Sequence, residues 1–117
     1  MPCIQVKVNF ALTAQQKTDV VSQLSKLVAK LTGKPEFYVM VVLDDNSTIS
    51  FGGDCTSKAC FADLRSIGAI NRSANKTYSS NICKLLNEKL GIETSRIYLN
   101  FQSYAGENWG HDGTTFG

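Results

Sequence analysis

The chain has 117 residues, 43% hydrophobic and 19% charged, and its 12 basic and 10 acidic side chains leave a net charge of +2. That size argues for one domain, residues 1–117, around a single core. No two lysines or arginines adjoin, so a nucleic-acid surface is not expected, and no stretch approaches the roughly 20 apolar residues that cross a bilayer.

From the start, Ile4, Val6, Val8 and Phe10 alternate with Gln5, Lys7 and Asn9, the period-2 signature of a strand with one buried face. Thr13 stands three residues before Gln16, the spacing of a capping box, so a helix is expected to begin there. Val20, Val21, Leu24, Leu27, Val28 and Leu31 form its apolar stripe, and Gly33 suits a left-handed C-cap. Pro35 biases Lys34 toward extended backbone, and Phe37 to Leu43 reads as a second, largely buried strand. After the polar turn at Asp44–Ser47 and a short piece ending at Gly52–Gly53, the order repeats. Phe61 to Ile67 reads as a strand, Tyr78, Ile82, Leu85, Leu86 and Leu90 as a helix stripe closed by Gly91, and Ile97 to Phe101 as the last strand.

Both halves, roughly residues 2–53 and 54–117, therefore read strand, helix, strand. The fold class expected is α/β (α+β): a duplicated βαβ unit whose right-handed crossovers lay two antiparallel helices on one face of a four-stranded mixed sheet. The other face is then bare. The apolar strands Val39–Leu43 and Phe61–Leu64 exceed what one helical layer consumes, which points to a homo-oligomer.

The start Met1–Lys7 lacks a basic region followed by an apolar one, so a leaderless cytoplasmic protein is expected, with Cys3, Cys55, Cys60 and Cys83 as free thiols. The triplets at Asn46, Asn71 and Asn75 match glycan acceptors, but a chain that never enters the secretory lumen is not modified there. No His and Cys spacing resembles a zinc set, and no metal or cofactor is expected. The single histidine, His111, lies in a Gly-rich tail without a partnering pattern beyond Asp112 and is not read as a general base.

Several islands occur in order along the whole chain: Met1–Pro2, Thr32–Gly33–Lys34–Pro35 with Tyr38, Phe51–Gly52–Gly53, Ser66–Ile67–Gly68, Asn71–Arg72, Arg96 to Asn100, and a tail from Asn108–Trp109–Gly110 to Thr115–Phe116. Together they resemble the macrophage migration inhibitory factor and D-dopachrome tautomerase family. The resemblance implies a homotrimer with active sites in the crevices between subunits. It also implies keto–enol tautomerisation of small aromatic α-keto acids, phenylpyruvate-like, or of dopachrome-like indoles. The catalytic base implied is the secondary amine of Pro2, exposed by removal of Met1. A free α-amino group titrates near roughly 8, and apolar walls or a neighbouring cation lower it, so a neutral fraction at working pH is reasonable.

The resemblance assigns Lys34 to the substrate carboxylate, Ile67 to a backbone contact, and Tyr38, Trp109 and Phe116 to the pocket mouth. Tyr98 and Asn100 sit two apart on one strand and share a face, and the resemblance has them reach the neighbour's Pro2. Read without it, Lys34 is a solvated charge, Ile67 the end of a strand core, Tyr98 a packed aromatic and Asn100 a sheet-edge amide. His111 and Trp109 stand where the human-type factor has tryptophan and valine, so the rim is rearranged. Two further readings follow. One is a cytokine-like ligand, secreted without a leader and recognised by a cell-surface receptor, with a vestigial tautomerase site. The other is a redox protein using Cys55 and Cys60, whose spacing departs from the C-x-x-C pair of some relatives.

Overall fold

The alternation at the start builds β1 (Pro2–Val8), and the repeat of strand, helix and strand is present twice in a computed structural model that describes residues 1–117. The first unit continues through α1 (Ala14–Thr32) to β2 (Met40–Asp44), and the second runs β3 (Cys60–Ser66), α2 (Arg72–Leu90), β4 (Ile97–Ser103). A terminal hairpin of β5 (Gly110–His111) and β6 (Thr114–Thr115) follows. The sheet order is β2-β1-β3-β4, with β1 parallel to β2, β3 parallel to β4, and β1 antiparallel to β3. Each parallel pair requires a crossover, which its helix supplies, and the central antiparallel pairing sets the two helices antiparallel.

Both helix starts are capped by side chains. Thr13 Oγ1 accepts from the Gln16 amide at 3.1 Å while Gln16 Oε1 accepts from the Thr13 amide at 2.9 Å. The second cap, which periodicity did not locate, is Asn71, whose Oδ1 accepts from the Ala74 amide at 2.9 Å. Gly33 and Gly91 end the helices in left-handed conformation, both at φ 69°. The core between sheet and helices holds Ile4, Val6 and Val8 with Ala62 and Leu64 on one side, and Val20, Leu24, Val28, Ile82 and Leu86 on the other.

The expected bounds of β3 and β4 shift by one or two residues, to Cys60–Ser66 and Ile97–Ser103, and the first two strands depart for identifiable reasons. β1 stops at Val8 because Asn9 turns outward, its amide donating to Ser57 O at 2.9 Å and its oxygen accepting from the Ala59 amide at 2.8 Å. Phe37 to Leu43 is not a buried strand. Glu36–Tyr38 form a 3-10 turn, with the Tyr38 amide donating to Pro35 O, and β2 begins at Met40 on the sheet edge. Phe37 is 81% exposed and Met40 60% exposed, because only alternate residues of an edge strand meet the helices and no second layer covers the rest.

The face away from the helices is not uniformly apolar. Val42, Gln5, Asp63 and Asn100 form one row across the strands, and Met40, Cys3, Arg65 and Gln102 another. Apolar exposure concentrates at the two edges, in Phe37, Met40 and Val42 beside β2 and in Tyr98 with Phe61 beside β4.

The loop between β2 and β3 is held by Arg96, at the foot of β4. Its guanidinium donates to the carbonyls of Lys58 (2.9 Å), Phe51 (3.3 Å), Asp54 (3.1 Å) and Ser57 (3.2 Å), and Asp54 Oδ2 lies 3.7 Å from Nη1. One planar fork thus ties four loop carbonyls to β4, adding to the bonds that Phe51 and Asp54 exchange through their amides and that Ser57 O accepts from Asn9. Arg96→Ala is expected to lower unfolding free energy by about 2 kcal/mol in a urea titration. Arg96→Lys should recover less than half of that, since an ammonium has no fork.

Candidate active site

Proline donates no ladder hydrogen bond, and the first position of a strand is where that lack costs least. Pro2 occupies that position, fully buried, paired across to Ser66 of β3. Its neighbour Cys3 points to the opposite sheet face and pairs with Met40 and with Arg65. Ser66 Oγ is buried without a hydrogen-bond partner.

The walls come from two local structures. The turn after Pro35 delivers Tyr38, and the terminal hairpin delivers Trp109, His111 and Phe116. The hairpin is tied back through Phe116, whose amide is shared between Gly106 O at 3.1 Å and Trp109 O at 3.2 Å. Gly106 permits that approach, since a Cβ there would lie 2.8 Å from Phe116 O. His111 stacks on Phe116 at 5.5 Å with 7° between planes, and Tyr38 stands edge-on to both rings, at 6.2 Å and 5.9 Å.

These rings enclose a cavity of about 250 Å³ in which Met1, Pro2, Cys3, Tyr38, Trp109, His111 and Phe116 meet. A second hollow of about 370 Å³ shares Met1, Tyr38 and Phe116 with it and adds Lys34, Pro35 and Ile67. Met1 therefore lies at the junction of the two. Its amine stands one residue further out than the Pro2 nitrogen that its removal would free. Burial, and then the charge of Lys34, hold that amine below its ordinary value.

The structure brings Pro2, Tyr38, Trp109 and Phe116 together, and Lys34 and Ile67 adjoin them through the shared wall. It does not bring Tyr98 or Asn100. They lie on β4, two strands from β1, and Tyr98 pairs with Phe61, five residues down from the Ser66 row that adjoins Pro2. At strand rise that is roughly 17 Å along the sheet for Tyr98 and roughly 10 Å for Asn100, which pairs with Asp63, so with two strands also to cross neither touches Pro2 within one chain. Tyr98 packs on Phe51 instead, ring centroids 4.7 Å apart.

Sequence reasoning set His111 aside as a base and put it at a rearranged rim; the structure makes it part of the aromatic wall. Arg65 and Tyr104, beside Cys3 and Trp109, escaped notice. The signal for Arg65 was strand alternation, which puts it on the open face with Cys3. The thiols form no disulfide; Cys55 is exposed and Cys60 buried. Burial, with Cys83 nearby, pushes the Cys60 thiol up to about 12, which leaves no thiolate for exchange near neutral pH.

Comparison with known proteins agrees with this architecture from end to end. The profile of the family described as macrophage migration inhibitory factor (MIF) matches residues 1–117. A macrophage migration inhibitory factor homolog of Trichinella spiralis is 38% identical, covering 99% of this chain and 100% of its own, and the factor of Xenopus tropicalis is 36% identical, covering 99% of each. Among solved structures, the homologue from Prochlorococcus marinus superposes with a TM-score of 0.92 at 32% identity, covering 98% of this chain and 99% of its own. The Trichinella spiralis factor gives 0.89 at 36%, covering 97% and 99%. With its duplicated βαβ fold and a proline at the first strand position, this chain belongs to the macrophage migration inhibitory factor family, in the tautomerase superfamily.

Proposed function

We propose that the chain is a keto–enol tautomerase acting on aromatic α-keto acids of the phenylpyruvate type or on dopachrome-like indoles, with the Pro2 amine as base once Met1 is removed. The observation that carries this reading is the placement of Pro2: buried at the start of β1, under an aromatic wall, where the adjoining amine is already held below its ordinary value by burial and by Lys34. In the enolising direction the neutral amine takes a proton from the carbon beside the ketone, that C–H pair becomes the C=C bond, the carbonyl oxygen takes a proton from water, and the ammonium returns its proton to the solvent, so the net change is one proton moved from carbon to oxygen. Lys34 holds the carboxylate, Ile67 supplies backbone contact, and Tyr38, Trp109 and Phe116 pack the aryl group. Tyr98 and Asn100 contribute only across a subunit boundary, so the reading includes a homotrimer.

A second reading, a secreted ligand of a cell-surface receptor with the tautomerase site secondary, is favoured by the names of the relatives, which are macrophage migration inhibitory factors of animals and a parasite. A cytoplasmic protein exported without a leader serves both readings. Absence of enol formation above buffer in the processed protein would put the second reading ahead.

Ultraviolet absorbance of phenylpyruvate should show catalysis by the Met1-processed protein and a loss of about a hundredfold or more in Pro2→Gly. The base works unprotonated, so activity falls as pH drops through the amine's pKa. Removing the neighbouring positive charge raises that pKa. Lys34→Gln should therefore move the acid limb of the kcat/KM profile to higher pH and raise KM for phenylpyruvate; an unmoved limb would remove Lys34 from the site. Sedimentation should give three times the mass of one chain. Mixed trimers of Pro2→Gly and Asn100→Ala chains should regain activity that neither has alone, because one boundary then carries both intact residues.

A further inference from the structure

Beyond Pro2, on the far side from Lys34, a third hollow of about 290 Å³ is walled by Cys3, Arg65, Tyr104, Asn108, Trp109 and Gly110. It shares Cys3, Trp109 and Gly110 with the Pro2 cavity, so the three hollows adjoin in sequence with Pro2 in the central one and a cation in each outer one. Arg65 is aimed rather than loose. Its Nε and Nη2 both lie 2.9 Å from Asp63 Oδ2, two residues earlier on the same strand face. The Asp63 side chain is only 15% exposed while that of Arg65 is 49% exposed, and with Nε and Nη2 engaged by Asp63 the Nη1 edge of a guanidinium that lines the hollow has no acceptor. Burial pushes the Cys3 thiol up, so it adds no negative charge there. Tyr104 and Trp109, edge-on at 5.6 Å, line the same hollow with aromatic surface, and Trp109 is shared with the Pro2 cavity.

We propose that Arg65 forms a second anion subsite and that the substrate is a dianion: an α-keto acid with another carboxylate at the far end of its aromatic body. The inference rests on the tautomerase reading of Pro2 and deepens it. A carboxylate fits better than a phosphate. The free guanidinium edge matches a planar, singly charged acceptor, and Asp63 already offsets part of the positive charge that a doubly charged group would need.

The test compares 4-carboxyphenylpyruvate with phenylpyruvate in the Met1-processed protein. Its kcat/KM should be roughly fivefold higher for the dianion, the difference residing in KM, and that ratio should collapse toward one in Arg65→Gln and survive in part in Arg65→Lys. A ratio of one in the native protein, or an equal ratio in Arg65→Gln, overturns the proposal. Calorimetric binding of the unreactive pair 4-carboxycinnamate and cinnamate separates this from failure of the Pro2 reading. Tighter binding of the dicarboxylate that depends on Arg65 supports the subsite even without turnover, and equal binding of the two overturns it.

Discussion

The pairing of β1 with β3 runs over seven residues, from Pro2 opposite Ser66 to Val8 opposite Cys60, and joins two βαβ units that would otherwise be separate parallel ribbons. Side chains alternate along it, so a slip of one residue would turn Ile4, Val6 and Val8 out of the core and Gln5 and Lys7 into it. The burial energy of the whole core therefore enforces the register that sets Pro2 beside Ser66. The crossover does the rest: α1 returns the chain to the end of the sheet where β1 begins, and the left-handed turn at Gly33 releases Lys34 and Pro35 there. A residue that opens the fold is thus also the residue around which the cavity forms.

That position carries an electrostatic consequence. The Met1 amine at the sheet end, beside Tyr38, Trp109 and Phe116, loses water that would stabilise its protonated form, and Lys34 adds repulsion in the same direction; the proposed Pro2 amine would sit one residue further in. Both effects favour the neutral base. The same two features also suit the substrate, since rings accept an aryl group and an ammonium accepts a carboxylate. In the proposed reaction the bound substrate's carboxylate offsets Lys34 and favours the proton that the Pro2 amine receives. On that reading the cation helps the free site stay neutral and the occupied site stay charged.

Much of the fold was legible because its signals are local. The capping box at Thr13 and Gln16, the glycine stops at 33 and 91, and the helix stripes each depend on neighbours within a turn or two. Asn71 was overlooked because its triplet also matches a glycan acceptor and no capping box reinforces it. The misreading of Phe37 to Leu43 has a different cause: an apolar run records that both faces are apolar, not that both are covered, and only the sheet order puts β2 on an edge. Of the site, Pro2, Lys34, Ile67, Tyr38, Trp109 and Phe116 were identifiable through resemblance, and the chain brings them to adjoining hollows. Strand alternation could place Arg65 on the open face, but its position beside Cys3 depends on the register of β1 with β3, which no local pattern encodes.

The distribution of exposed apolar groups bears on why one chain carries an incomplete set. A ring closes when one patch on a subunit meets a different patch on the next, and each patch alone looks unfinished. Here Phe37, Met40 and Val42 lie along one edge of the sheet, at the Pro2 end, while Tyr98, 65% exposed, lies with Phe61 and Phe51 at the other. Between them the open face is polar, with Gln5, Asp63 and Asn100 in one row. In the proposed trimer, joining the two apolar edges leaves this polar strip free to line a wet axis, and it carries Tyr98 and Asn100 toward the next chain's Pro2. The separation along the sheet, roughly 17 Å for Tyr98 and roughly 10 Å for Asn100, that excludes them from their own site is then what a shared site requires.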